Sequence, residues 1–210
     1  PYRIDATGIG GMIGSEPEDF RVTEVPAYPF EGEGEHLYLK VQKRNLTTRD
    51  AEHMLASHFG VSRRDVGYAG MKDKRAITQQ WFSLPVDDDV EPFVINEQLE
   101  VVQVDRHRNK LRRGHLDGNH FAISLVHCEG SDEDVAQIAD TVREKGLFNS
   151  FGHQRFGYDG NNLAEALDWA EQGGRLSSFK RKLYTSVIQS EVFNRYLHIR
   201  RDNQPELGVC

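Results

Sequence analysis

The sequence has few cysteines, no long apolar run and no excess of positive charge. Its 210 residues contain two cysteines, Cys128 and Cys210, and neither belongs to a C-x-x-C pair. This spacing argues against a disulfide framework or a thiolate zinc site, so a reducing cytoplasm is the expected location. No apolar stretch reaches the roughly 20 residues that a membrane-spanning helix needs. We therefore expect a folded globular protein without a membrane anchor.

Histidines and glycines are present, but not in the patterns of a metal or nucleotide site. His36, His107, His115 and His153 lie in separate stretches without the i, i+4 spacing of a zinc site. We predict no metal. The glycine-rich stretch "TGIGGMIG" misses the G-x-G-x-x-G spacing, and no strand precedes it. It is interpreted as a flexible entry loop.

The net charge of -7 argues at first against a nucleic acid partner. The stretch "DRHRNKLRRGH" is nevertheless locally basic, and it is either a solvated hairpin or a strip that contacts phosphates. The stretch "GHLDGNHF" follows directly and adds an amide and an aromatic ring, which favours a strip that binds RNA. The cations of the strip are Arg106, Arg108, Lys110, Arg112 and Arg113.

Hydrophobic periodicity predicts an α+β fold with a mixed or antiparallel sheet and flanking helices. Strands are expected in "DFRVTEV" and "EHLYLKVQKR", which should pair, and in "DVGYAG", "AITQQWFSL", "LEVVQVDRHR" and "HFAISLVHC". A Thr-x-x-Asp capping box at Thr47 begins one amphipathic helix, and a second capping box at Ser131 begins another. Two further helical patterns surround residues 163–169 and 182–196, after a loop rich in Gly, Phe and Asn.

Asp73, in "GYAGMKDKRAIT", stands between two lysines where a strand should turn back. One interpretation is an Asx turn whose carboxylate is satisfied by nearby amides. The other is a nucleophile or electrostatic stabiliser, because flanking cations keep a carboxylate ionised. The residues of this stretch alone leave both interpretations open.

Five stretches together resemble the TruD family of tRNA pseudouridine synthases. They are "AGMKDKRAITQQ", "PEDFRVTEVP", "GEGEHLYLKV", "RHRNKLRRGHLDGNHF" and "NSFGHQRFG". The resemblance implies an isomerase without a cofactor that converts uridine in tRNA, typically uridine 13, to pseudouridine. It implies a catalytic role for Asp73, and substrate-binding roles for Phe20, Asn119, Phe121, Lys72, Gln80, Gln154 and Arg155.

The family also has an inserted second domain and a returning C-terminal segment that completes the catalytic sheet, and neither is visible in these residues. We therefore expect residues 1–204 to be the N-terminal part of the catalytic domain and 205–210 to begin a linker or truncated segment. A monomer is expected. The alternatives are a non-catalytic RNA-binding module of the same fold and a glycoside-cleaving enzyme, although the latter chemistry uses two carboxylates.

Overall fold

A computed structural model describes residues 8–146, 149–157 and 159–203. The predicted segment 205–210 lies outside these residues. The strands among these residues are β1 Gly10–Ile13, β2 Phe20–Pro26, β3 His36–Arg44, β4 Gly67–Tyr68, β5 Ile77–Leu84, β6 Phe93–Asn96, β7 Leu99–His107, β8 Leu116–Ile123 and β9 Leu125–Cys128. The α-helices in the same ranges are α1 Thr48–His58, α2 Asp132–Lys145, α3 His153–Phe156, α4 Asn161–Gln172 and α5 Ser178–Asn203.

The described residues form two compact units, a sheet unit of residues 10–129 and a helical unit whose described residues lie within 8–9 and 130–203. In the sheet unit, the strand order is β6-β7-β3-β5-β2-β8, and β4 pairs with β5. All pairs are antiparallel except β2 with β5. The predicted α+β class with a mixed sheet is confirmed.

The alternation of apolar residues explains why one face of the sheet is covered. Leu37, Leu39 and Val41 in β3 point to the same face and are buried, because side chains alternate along a strand. Helix α1 packs on this face through Ala51 and Leu55. The resulting core links the helix to β3, β5 and β7 and fixes its position over that half of the sheet.

Two predictions about strands are wrong. The strands β2 and β3 do not pair, because β5 lies between them and the other edge of β3 is taken by β7. The alternation identified each strand but contained no information about its partner. The expected entry loop instead contains β1, which pairs with β9 in a separate two-stranded sheet.

The helical unit has a small core of its own. Helices α4 and α5 pack together around Ala166, Tyr184 and Val187, with Leu163 and Trp169 at the margin. Both helices extend beyond the ranges predicted from sequence, and the loop predicted before them contains the single-turn helix α3. In the part of the chain that the structure describes, no helix combines the length and the hydropathy required to cross a membrane.

Candidate active site

Asp73 lies in the loop between β4 and β5, and buried side chains hold the backbone of this loop. The N–H of Lys72 donates to Thr48 Oγ1 at 2.9 Å, and Gln80 Nε2 donates to the carbonyl of Gly70 at 3.2 Å. Gln80 is itself oriented by the Thr48 hydroxyl, which donates to its Oε1 at 2.9 Å. The start of α1 and strand β5 therefore fix the loop in front of Asp73.

The loop is also held at Asp73 itself. Lys43 is 1% exposed, and its Nζ donates to the carbonyls of Asp73 and Leu46, both at 2.7 Å. Burial lowers the pKa of Lys43 to about 8, although the charge of Asp73 acts in the opposite direction. The Asp73 carboxylate is exposed and makes no hydrogen bond or ion pair with any described residue. An Asx turn is thus not what the structure shows at this position.

A buried ion pair lies beside the loop. Lys72 Nζ is 2.5 Å from Glu24 Oε2, and the two side chains are 5% and 1% exposed. The other carboxylate oxygen of Glu24 accepts a hydrogen bond from the backbone N–H of Trp81 at 3.2 Å. Because a buried charge is costly unless it is paired and hydrogen-bonded, this arrangement holds Lys72 in one position. It also connects the loop to the central strands β2 and β5.

Strands β2 and β8 present an open surface on the face of the sheet that carries Glu24. Glu24 pairs with Asn119 and Val22 with Phe121, and residues directly opposite each other project to the same side. Phe20 and Phe121 meet edge to face, with ring centroids 6.2 Å apart. Phe121 is 59% exposed. The Oδ1 atom of Asn119 is buried and has no hydrogen-bond partner among the described residues.

The register places most of the predicted site residues together. Thr78 of β5 pairs with both Val22 and Lys43, so the inward side chains of β2, β3 and β5 share one face. This shared face, beneath the Asp73 loop, is hereafter the Asp73 face. It carries Lys43, Gln80, Phe20, Asn119 and Phe121, and the ion pair of Lys72 with Glu24 lies on it.

The basic stretch forms the turn between β7 and β8 and is fastened next to the segment that leads to Asp73. The N–H of Leu111 donates to Ser83 Oγ, and the N–H of Gly114 donates to the carbonyl of Ala69, both at 2.9 Å. A Cβ atom at Gly67 would lie 2.3 Å from the carbonyl oxygen of Leu111, so this close approach requires glycine. The turn is therefore rigidly attached to the sheet.

The five cations of this stretch have different environments. Arg106 donates to the carbonyls of residues 34 and 86–88 and to the Asp89 carboxylate, so its guanidinium stabilises loops of the protein. Arg108 pairs with Glu31 at 2.9 Å. The Lys110 side chain donates one hydrogen bond, to the carbonyl of Arg64, and the Arg113 side chain donates one, to the Tyr68 hydroxyl. Arg112 is exposed, and its side chain makes no hydrogen bond or ion pair within the described residues.

Gln154 and Arg155 belong to the helical unit, in α3. Both side chains are exposed. Arg155 lies over the ring of Phe151, 4.9 Å from its centroid, and donates to Ser186 Oγ at 3.2 Å. Asn194 holds the backbone of Phe151 through two hydrogen bonds of 2.8 and 2.9 Å. Within its own unit, Arg155 is thus a positioned cation.

Sequence reasoning missed Lys43, Thr48 and Glu24. A signal for two of them was available, because Lys43 has the same strand phase as Val41, and Glu24 has that of Val22. A charge at an inward position predicts a buried, paired group. Thr48 had no such signal, since its hydroxyl is engaged by residues 24 and 32 positions away. No group of three or more His, Cys, Asp or Glu side chains able to hold a metal occurs in the described ranges.

With this geometry established, comparison with known proteins assigns the chain to a family. The sequence model of tRNA pseudouridine synthase D (TruD) matches residues 1–164. The chain belongs to the TruD family. The predicted family is thereby confirmed.

Relatives with the same name cover most of this chain. The chain is 46% identical over 200 residues to a tRNA pseudouridine synthase D of Anaeromyxobacter sp. (strain Fw109-5), and the match covers 90% of this chain and 56% of that protein. It is 41% identical to a protein of that name from Thermus thermophilus, with 93% and 56% covered. This TruD chain spans about half the length of these curated relatives.

A solved structure supports the fold. A crystal structure from Methanosarcina mazei, described as a candidate tRNA pseudouridine synthase D, matches with a TM-score of 0.65 and 28% identity. The match covers 94% of this chain and 51% of that one. The similarity extends over the sheet and the helices, because it includes nearly the whole chain of this TruD family member.

Proposed function

We propose that this protein converts uridine to pseudouridine in tRNA, typically at position 13, with Asp73 as the nucleophile and without a cofactor. The observation that carries the proposal is the contrast at Asp73. Its backbone is held by Lys43, while its carboxylate is exposed and has no hydrogen bond or ion pair within the described part of the chain. Preorganised backbone and a free functional group are the properties that a nucleophile requires.

The reaction is an isomerisation, so its atoms balance within the nucleotide. The Asp73 carboxylate assists cleavage of the N-glycosidic bond, by attack on the ribose or the base or by removal of a sugar proton. The detached uracil turns and forms a bond from its C5 carbon to the ribose C1′. Any bond that Asp73 has formed breaks, and any sugar proton that it has removed is returned, before the product leaves. The proton on C5 then leaves, and N1 acquires one.

The surface formed by β2 and β8 suits a uridine that has left its stack. A base must be extruded before chemistry can reach its glycosidic bond, and aromatic side chains can hold the extruded ring. Phe20 and Phe121 supply this surface. The unpartnered Oδ1 of Asn119 can accept the N3–H of uracil. In this proposal Lys72 and Gln80 position the loop, because their contacts are with Glu24, Thr48 and backbone atoms.

The turn between β7 and β8 is proposed to bind the phosphate backbone. Arg112 and Arg113 are the exposed cations with least engagement by the protein, and Arg108 and Lys110 flank them. We assign Arg106 no direct phosphate contact, since its guanidinium is occupied by loop carbonyls. Gln154 and Arg155 are proposed to contact substrate from the helical unit. The proposed partner is tRNA, the proposed location is the cytoplasm, and a monomer suffices.

The test compares the complete gene product with its Asp73→Asn variant on a tRNA transcript that contains uridine 13. Pseudouridine is detected by carbodiimide modification and primer extension, and binding by filter retention. We expect Asp73→Asn to lower the single-turnover rate at least about a thousand-fold and leave tRNA affinity unchanged. Asp88→Asn is the control, because Asp88 is an exposed carboxylate whose side chain makes no hydrogen bond or ion pair in the described part.

Two results would replace this proposal. Wild-type protein that binds tRNA without forming pseudouridine would indicate the non-catalytic RNA-binding module. Release of free uracil from the RNA would indicate a hydrolytic enzyme that cleaves the glycosidic bond.

A further inference from the structure

A groove lies on the face of the sheet opposite to the Asp73 face. It has a volume of about 660 Å³, within the range of ligand-binding pockets. The residues that matter to its chemistry come from the segment after β2 and from the end of β7 with its following turn. They are Tyr28, Phe30, His107, Lys110, Arg112 and His115.

Strand alternation places this groove away from the Asp73 face. Tyr38 and Trp81 directly precede the inward residues Leu39 and Phe82, so they project from the other side of the sheet. Phe30 packs on both, with ring centroids 4.7 Å from Tyr38 and 4.4 Å from Trp81. Phe30, which lines the groove, therefore rests on a buried aromatic cluster that is distinct from the core beneath α1.

The aromatic wall is preformed. The Tyr28 ring stacks on His107, with centroids 5.0 Å apart and planes inclined by 27°. The Tyr28 hydroxyl is 3.1 Å from His115 Nδ1, which fixes the orientation of the ring. Tyr28 remains partly exposed, so ring surface is available to a ligand. The adjoining turn is immobilised, since the Tyr38 hydroxyl donates to the carbonyl of Asn109 at 2.7 Å.

The charge at the groove is suited to a phosphate. Arg112 has no side-chain hydrogen bond or ion pair within residues 8–146, 149–157 and 159–203. Lys110 Nζ donates once, to the carbonyl of Arg64 at 2.6 Å, and keeps two N–H donors. Glu31 is the acidic neighbour. The hydrogen bond from Arg108 lowers the pKa of Glu31 and keeps it ionised, and the Arg108 cation balances that charge.

We propose that this groove binds an unpaired nucleotide of the RNA, with the base against Tyr28 and the phosphate on Arg112 and Lys110. Cations beside a partly exposed aromatic ring match the two parts of a nucleotide, and stacking on Tyr28 requires a base outside a duplex. The groove and the Asp73 face share the basic turn, so a strand could pass from one to the other around it. The inference rests on the proposed function insofar as the ligand is RNA.

The experiment uses the complete gene product and tRNA with 4-thiouridine substituted for uridine, irradiated and analysed by mass spectrometry of the linked peptides. We expect cross-links to the peptides that contain Tyr28 and Arg112, in addition to cross-links near Phe20. Both sets should persist in Asp73→Asn. Cross-links near Phe20 without any at the groove would overturn the inference and leave the proposed function intact, whereas no cross-link at all would contradict both.

Affinity measurements supply the second arm. Tyr28→Leu should weaken tRNA binding about 5- to 100-fold, and Tyr28→Phe, which keeps the ring, should bind close to wild type. Because Arg112 is exposed, Arg112→Ala should fold like wild type, and it should remove the groove cross-links. Arg143→Ala is the charge control, because Arg143 is 74% exposed and its one ion pair among the described residues is within α2. If Tyr28→Leu and Arg112→Ala bind and cross-link like Arg143→Ala, the groove is not a nucleotide site.

Discussion

The Asp73 face has two halves with opposite properties. Over β7, β3 and β5 it is covered by α1, and Leu39, Val41 and Leu55 are 0% exposed. Over β2 and β8 the face carries Phe121 and Ile123, which are 59% and 42% exposed. Both halves are built from alternating strands of the same sheet, so coverage by the helix is what separates them.

The loop with Asp73 lies at the boundary between these halves. On the covered side it is held by Thr48 and Lys43, and on the open side by the pair of Lys72 with Glu24. The Asp73 loop is thus held rigidly and still borders an exposed surface. The covered half supplies a fixed frame, while the open half carries the exposed apolar surface proposed to bind the substrate.

The largest expected effect on stability comes from removing the buried ion pair of Lys72 with Glu24 at this boundary. Lys72→Met leaves Glu24 buried without its cation, which should lower the free energy of unfolding by about 3–5 kcal/mol in urea titration. Combining it with Glu24→Gln should recover part of this loss, because the buried charge is then absent while Gln can still accept the Trp81 N–H. A cost of Lys72→Met below about 1 kcal/mol would show that the pair does not hold the loop.

The two halves should respond differently to truncation of an apolar side chain. Leu55→Ala opens a cavity in the covered half and should cost about 2–5 kcal/mol of unfolding free energy. Phe121→Leu in the open half should cost less than about 1 kcal/mol, yet reduce pseudouridine formation at limiting tRNA, since it removes a ring from the proposed base-binding surface. Equal stability losses would mean that the open half is covered in solution.

Lys43 makes the covered side sensitive to pH. Its pKa is about 8 in the folded protein against an ordinary value of 10.5. Between these values the unfolded chain binds more protons, so the folded state gains stability as pH rises, by up to about 3 kcal/mol, and below pH 8 the contribution is flat. The difference in urea stability between wild type and Lys43→Met, followed through this range, should show the slope.

Lys43→Met should also release the carbonyl of Asp73 and slow the reaction. A pH dependence identical in wild type and Lys43→Met would contradict the assignment of the slope to this side chain. Lys40→Met is a suitable control, since Lys40 lies in the same strand with the opposite phase and its side chain is only partly buried.

The smallest expected effect concerns the basic turn beside the open half. Arg112→Ala with Arg113→Ala should reduce the salt dependence of tRNA binding, log Kd against log salt, by about 1 to 2 in slope. Arg106→Ala should lower stability and leave that slope unchanged, because its guanidinium serves the loops at residues 34 and 86–89. If Arg106→Ala reduces the salt slope as much as the double variant does, Arg106 also contacts phosphate.

Much of the fold could be predicted because its signals are local. The capping box at Thr47 is present, with Asp50 accepting the N–H of Thr47 at 3.2 Å and Thr47 accepting that of Asp50 at 3.1 Å. The strands of "EHLYLKVQKR" and "LEVVQVDRHR" are found close to where alternation predicts them. The predicted strand in "DVGYAG" contains β4, but β6 was not predicted, because its four residues are too few for a period to show.

Sequence could name the chemical groups of the candidate site but not their connections. Asp73, Phe20 and Asn119 were identified through the family resemblance, and the register brings Phe20 and Asn119 to the Asp73 face. The partner of Lys72 could not be predicted, because Glu24 is 48 positions away. The engagement of Arg106 by four carbonyls was equally hidden, since its sequence neighbours have the same basic character.

The sequence by itself determined most of the longer strands and helices, and which groups were available for chemistry, because these depend on residues two to four positions apart. Only the tertiary structure decided that β5 separates β2 from β3, that Lys43 holds the backbone of Asp73, and that Arg112 stays uncommitted among the described residues while Arg106 does not. Strand pairing and hydrogen-bond satisfaction depend on residues distant in the chain, which only the folded backbone brings within reach.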